Sequence, residues 1–261
     1  MTAMSGICFN AWDIALVLVV TGQAGILAYM HHPKWKALVL STPIPFTLAT
    51  LALDRPVDAT NVIGFLNLIL FINVVRWVYR DGAGVPIVAA IILAIVTYCG
   101  LGLVLASHLP EHGQAFWIAC ALTAAIAITA FAAMPRRDDP GHRSSLPVWI
   151  KMPIIALIVV GLVLIKQNLK GFIAAFPMVT IVGAYEARHS LWTMSRQIML
   201  LTIMFMPALI SMFLVQTVLA AHQVSMTVAI RWSLVVGWIV FLAQLIPITR
   251  HQWAKYADAE A

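Results

Sequence analysis

Nine runs of apolar residues, separated by short polar breaks, organise the chain: 11–30, 37–53, 60–79, 85–107, 114–134, 147–165, 170–186, 197–221 and 228–249. Roughly 17–25 apolar residues are enough for a helix to cross a hydrocarbon core. The pattern therefore predicts an all-α polytopic membrane protein with nine transmembrane helices. Breaks such as HHPKWK, DRPVD, YRDGAG and MPRRDDPGHRSS read as the connecting loops. The seventh run is among the shortest, and a partly unwound or re-entrant segment would give the same pattern.

The second and seventh runs resemble each other. Pro45 is followed nine residues later by Asp54, and Pro177 nine residues later by Glu186. The same shift of 132 residues carries Lys34 onto Lys166, each eleven residues before its proline. A shift of about half the chain predicts an internal duplication. The two segments are five spans apart in order, an odd number, so they cross in opposite directions, and two inverted four-helix repeats joined by a central helix follow. The predicted division is repeat 1 over 1–109, a linker span with a basic cytoplasmic loop over 110–145, and repeat 2 with a C-terminal tail over 146–261. Proline removes a helix hydrogen bond and frees a carbonyl. Within a bilayer such a break persists only where protein or a polar cavity satisfies the backbone.

Composition agrees with the pattern: 62% of residues are hydrophobic and 10% charged, where a soluble domain carries about 25% charged residues. The first apolar run has no basic residue ahead of it and is already bilayer length, so it is expected to be a retained span and not a cleaved leader. With the N-terminus outside and the C-terminus in the cytoplasm, twelve of the sixteen Lys and Arg residues fall on the cytoplasmic side and four outside. That is the positive-inside bias of a multi-pass protein. It also accounts for the net charge of +6 without nucleic acid.

Polar residues within the spans supply the candidate chemistry. Ser41, Thr42 and Thr47 surround Pro43 and Pro45, Thr180 follows Pro177, and Asn67 and Asn73 lie in the third span. Thr21 and Gln23 sit near the middle of the first. Together the prolines and their polar neighbours are the expected substrate-binding residues. Each hydroxyl or amide could equally serve as interhelical glue. The charges at the ends of the proline segments suggest gates: Lys166 facing Asp54 outside, and Lys34 facing Glu186 inside. The alternative is that these charges simply snorkel to headgroups and water. Asn73, Arg76 and Arg80 share one face of the third span, which either presents a cation to an anionic substrate or anchors the helix.

Other motifs point nowhere. His108, Glu111 and His112 spell a zinc signature, but Pro110 interrupts the helix that such a site requires, so no metal is expected. Cys8, Cys99 and Cys120 form no CxxC pair. Neither a nucleophile elbow nor a phosphate-binding loop is present, so no cofactor and no enzymatic activity are expected.

The segment from Gly171 to Tyr185, GFIAAFPMVTIVGAY, resembles the glycine-to-proline signature of the GlpM-like small bacterial inner-membrane proteins. Gly171, Phe176 and Pro177 carry the likeness, and the first half has Val39 and Ile44 at the matching places. The resemblance implies a bacterial inner (plasma) membrane location and a chain that fuses two four-span units in opposite orientation. It implies no activity. The expected function is secondary transport of a small solute or lipid-like metabolite by alternating access around spans two and seven. The alternative is a non-transporting membrane subunit or assembly factor. Membrane lipid and a small-molecule substrate are the expected partners, nucleic acid is not, and a homodimer is compatible with the pattern.

Overall fold

The computed structural model describes residues 10–30, 39, 42–81, 84–110, 113–134 and 148–260. Among them are nine α-helices and no strand: α1 (Ala11–Tyr29), α2 (Ile44–Leu53), α3 (Ala59–Arg76), α4 (Ile87–His108), α5 (Gly113–Ala133), α6 (Val148–Leu169), α7 (Met178–Glu186), α8 (Leu191–Ala221) and α9 (Met226–Glu260). Six of the helical segments are long and apolar enough to cross a membrane. Their outward faces are aliphatic, with Val96, Ile118, Leu157, Leu214 and Ile239 all exposed. Such a surface is stable against lipid and costly against water.

Local sequence sets the helix starts. Asn10 caps α1 in a reciprocal capping box with Asp13, and Asp58 caps α3 in the same way with Asn61. Each box satisfies two of the four backbone N–H groups that a helix start leaves open. At the end of α3 the backbone widens into a π-helical turn over Trp77–Asp81.

The second and seventh runs depart from the expected full-length helices. The described helix of the second, α2, has 10 residues, and α7 has 9. At about 1.5 Å per residue each covers roughly half of a ~30 Å core. Proline is the reason. It has no N–H to give to the preceding turn, and it disfavours helix in the residue before it. Pro43 is the N-cap of α2 with Pro45 in the first turn, and Pro177 is the N-cap of α7. Each proline thus stands at the start of a short helix instead of inside a longer one. Asp54 closes α2 in the left-handed conformation at φ 49°. The first residues of the expected seventh span continue α6 as a 3₁₀ turn, Lys170–Ile173.

Helix α3 is the central post and packs against α4, α5 and α8, while α1 packs against α2, α6 and α7. Chain directions follow from the side-chain contacts. Asp13 meets Lys166 and Asn10 meets Ala52 at one end of the bundle. Arg76 lies over Trp192, 4.6 Å from its ring centre, at the other. Helix α2 therefore runs toward the Asp13 end, and α3 and α7 run away from it.

The chain after α6 reaches α3 by a close backbone approach. Gly171 N–H donates to Thr60 Oγ1 at 2.9 Å, and Gly171 O accepts from Asn61 Nδ2 at 3.3 Å. A Cβ at Gly171 would lie 2.5 Å from Asn61 Oδ1. Gly171→Ala is therefore expected to lower stability by about 1–3 kcal/mol, the usual cost of overpacking. Gly161→Ala is the control, since no atom outside its helix comes within 4 Å. Thermal unfolding in detergent compares the two, and equal midpoints would remove the close-approach account.

Candidate functional site

The starts of the two half-helices border one cavity of about 70 Å³. Thr42, Pro43, Pro45 and Phe46 line it from α2 and its approach, and Ala174–Phe176, Val179 and Thr180 from α7 and its approach. Gln23 of α1, Phe65 and Leu68 of α3, and Leu201 and Phe205 of α8 complete the wall. A water needs about 10–15 Å³ measured this way, so the space holds roughly five.

Aromatic packing keeps the wall in place. Phe205 lies 5.0 Å from Phe46 and 4.8 Å from Phe65 between ring centres. Phe176 meets Tyr98 edge-on at 4.9 Å. The Tyr98 hydroxyl in turn donates to Phe172 O at 2.8 Å, which ties α4 to the segment that leads into α7.

Three features give the cavity its polarity. Neither α2 nor α7 has a side-chain cap. Early N–H groups in a helix have no intrahelical partner, and the helix start carries partial positive charge. The third feature is Gln23. Its Nε2 donates to Val39 O at 2.8 Å and to Thr42 Oγ1 at 2.9 Å, and Thr42 donates to Val39 O at 2.7 Å. A carbonyl only accepts, so this network fixes which way the amide points. Gln23 is 6% exposed, and its Oε1 is buried with no hydrogen-bond partner among the described residues. A buried acceptor left unpaired is uncommon, because its desolvation is not offset.

The expected site residues divide in two. Thr42, Pro43, Pro45 and Thr180 line the cavity, and Pro177 caps the helix that faces it. Thr47 instead donates to Pro43 O at 2.9 Å and accepts from Trp238 Nε1 at 2.8 Å, and it lines a separate apolar groove against α9. Asn67 donates to Tyr98 O at 2.9 Å, which is interhelical glue. Asn73 donates to Ile69 O at 2.7 Å and accepts from Ser195 at 3.2 Å, away from the cavity. Arg76 sits over Trp192, and Arg80 lines a surface depression with Arg188 and His189. Ser41 and Lys34 lie outside the described residues, as do Glu111 and His112 of the zinc-like motif.

The charges pair differently from the expected gate. Lys166 Nζ donates to both oxygens of Asp13, at 2.5 and 2.6 Å, and to Ala52 O at 3.2 Å. Asp13 is fully buried. Asp54 is exposed and accepts from Thr227 at 3.3 Å. The end of α2 thus meets Lys166 through a backbone carbonyl, and the carboxylate comes from α1. Glu186 is buried at the end of α7. The sequence signal for Asp13 was its place three residues after Asn10, a capping-box spacing that also explains why an acid is retained there.

No protein family, no curated protein and no solved structure matches this chain.

Proposed function

We propose that the protein is a secondary transporter in which the cavity between α2 and α7 is the substrate site, opened alternately to the two sides of the membrane. The observation that carries this is the meeting of two oppositely directed half-helices, start to start, at a cavity inside the bundle. Broken helices of this kind recur at the midplane sites of transporters built from inverted repeats. The 132-residue correspondence between the two proline segments supports the same plan, with spans one to four and six to nine as the repeats. The Asp13–Lys166 end is assigned to the outside by loop charge, and the Arg76 end to the cytoplasm of a bacterial inner membrane.

A test needs no substrate. Single cysteines at Thr42→Cys and Thr180→Cys, in a chain lacking Cys8, Cys99 and Cys120, are exposed to a membrane-impermeant thiol reagent from each side in turn. Alternating access predicts that both positions are modified from either side. Modification from neither side would instead favour a non-transporting membrane subunit.

A further inference from the structure

Two helix starts and one unpaired amide oxygen set the chemistry of whatever fills the cavity. We propose that its occupant is a small monovalent oxyanion with one hydroxyl donor, a short hydroxy-monocarboxylate of about the size of glycolate. This rests on the reading of the cavity as a transport site.

Charge is the first constraint. Among the described residues, no Lys, Arg, His, Asp or Glu lines the cavity. The field there comes from the uncapped starts of α2 and α7, helices of 10 and 9 residues. Each helix start is equivalent to roughly +0.5 of an elementary charge. Two of them match one negative charge, and carboxylates bind at helix starts through the same free N–H groups. A dianion would leave about one charge uncompensated among phenylalanine and leucine side chains, where an unpaired ion is costly.

Gln23 adds the second constraint. Its Oε1 is an acceptor only, buried and without a partner among the described residues, on a side chain that lines the cavity. Its occupant must therefore donate a hydrogen bond. An ammonium would do so, but among the described residues no carboxylate lines the wall to balance it. A hydroxyl donates without adding charge. Volume is the third constraint: 70 Å³ is room for roughly five water-sized atoms, and glycolate has about five non-hydrogen atoms.

Purified full-length protein in detergent is titrated calorimetrically with sodium glycolate, acetate, oxalate and ethylene glycol. Glycolate is expected to bind about tenfold more tightly than acetate, the usual worth of one hydrogen bond to a buried acceptor. Oxalate and ethylene glycol are expected to bind at least tenfold more weakly than glycolate. Gln23→Leu should bring glycolate down to the acetate level and leave acetate within about twofold. The wild-type ligand series stands without any variant. Equal binding of glycolate and acetate, tighter binding of oxalate or ethylene glycol, or a preference for glycolate that survives Gln23→Leu would each overturn the assignment. Two-sided cysteine labelling without glycolate selectivity overturns this inference and leaves transport standing. Selective glycolate binding without two-sided labelling supports the anion site and removes transport.

Discussion

Lys166→Met alone is expected to destabilise the protein by about 3–5 kcal/mol, whereas Asp13→Asn combined with Lys166→Met should recover most of that loss. Removing the ammonium leaves the fully buried Asp13 carboxylate without the cation that holds both of its oxygens at 2.5 and 2.6 Å. Breaking a buried pair from one side typically costs this much, while replacing both partners by neutral groups is often near neutral. Asn is chosen because Asp13 has a second duty. Its Oδ2 accepts from Asn10 N–H at 2.8 Å, in the cap that starts α1. Asp13→Ala would lose that bond as well, adding about 1 kcal/mol. Unfolding in detergent, followed by tryptophan fluorescence, gives the four corners of the cycle. A double variant no more stable than Lys166→Met would remove the pairwise account. Asp54→Asn supplies the contrast. Asp54 is exposed and accepts a long hydrogen bond from Thr227 at 3.3 Å, so the change should stay within about 0.5 kcal/mol.

The contrast between Asp13 and Asp54 shows what the sequence could and could not reveal. Run length and spacing carried the all-helical fold and its six membrane-length helices, because a lipid-facing helix must be apolar over a nearly fixed length. Proline chemistry likewise singled out residues 43–45 and 177, since a missing N–H leaves a local mark that no tertiary contact erases. The ion pair was another matter. Lys166 and Asp13 are 153 residues apart, and nothing local distinguishes Asp13 from Asp54 as the partner. What decides is the antiparallel packing of α1 on α6, which brings their ends level. The 132-residue correspondence pointed to the two half-helices together, and so to Asp54.

Pattern alone also could not tell a broken helix from a half-helix. Both read as an apolar run with a proline in the middle. At Pro177 the structure distinguishes them through the residues before it. Ahead of α7 the chain forms the 3₁₀ turn Lys170–Ile173 and then a non-helical stretch to Pro177, buried against α3. That burial is possible because Gly171, Thr60 and Asn61 satisfy one another's backbone and side-chain groups. Asn67 was legible as a polar residue within a span, but its role was not. Whether a buried amide faces a cavity or a neighbouring carbonyl depends on helix rotation. Here rotation puts Asn67 on Tyr98 O and Gln23 on the cavity wall. Gln23 was legible as a mid-span amide, but no feature in its neighbours raised it above Thr21.

Ala174→Leu should abolish movement through the protein while leaving it as stable as the parent or slightly more so. Ala174 lines the cavity, and leucine adds three carbons where open space exists. Filling a cavity commonly stabilises by about 0.5–2 kcal/mol, so a loss of function would not reflect a loss of fold. Ala175, its neighbour, is unsuited to this purpose: a Cβ built on Gly64 would already lie 2.8 Å from the Ala175 Cβ, and extra bulk there would strain α3. Glycolate counterflow into proteoliposomes should fall about 100-fold, the scale on which small misplacements act at a tight site. Modification of Thr180→Cys from the side opposite the resting opening should slow in parallel. Gly161→Leu adds more bulk at an exposed position with nothing within 4 Å and should leave both readouts unchanged. Wild-type counterflow in a folded Ala174→Leu variant would mean that the path does not run between α2 and α7. Loss of counterflow at unchanged stability would place the solute where the two half-helices begin.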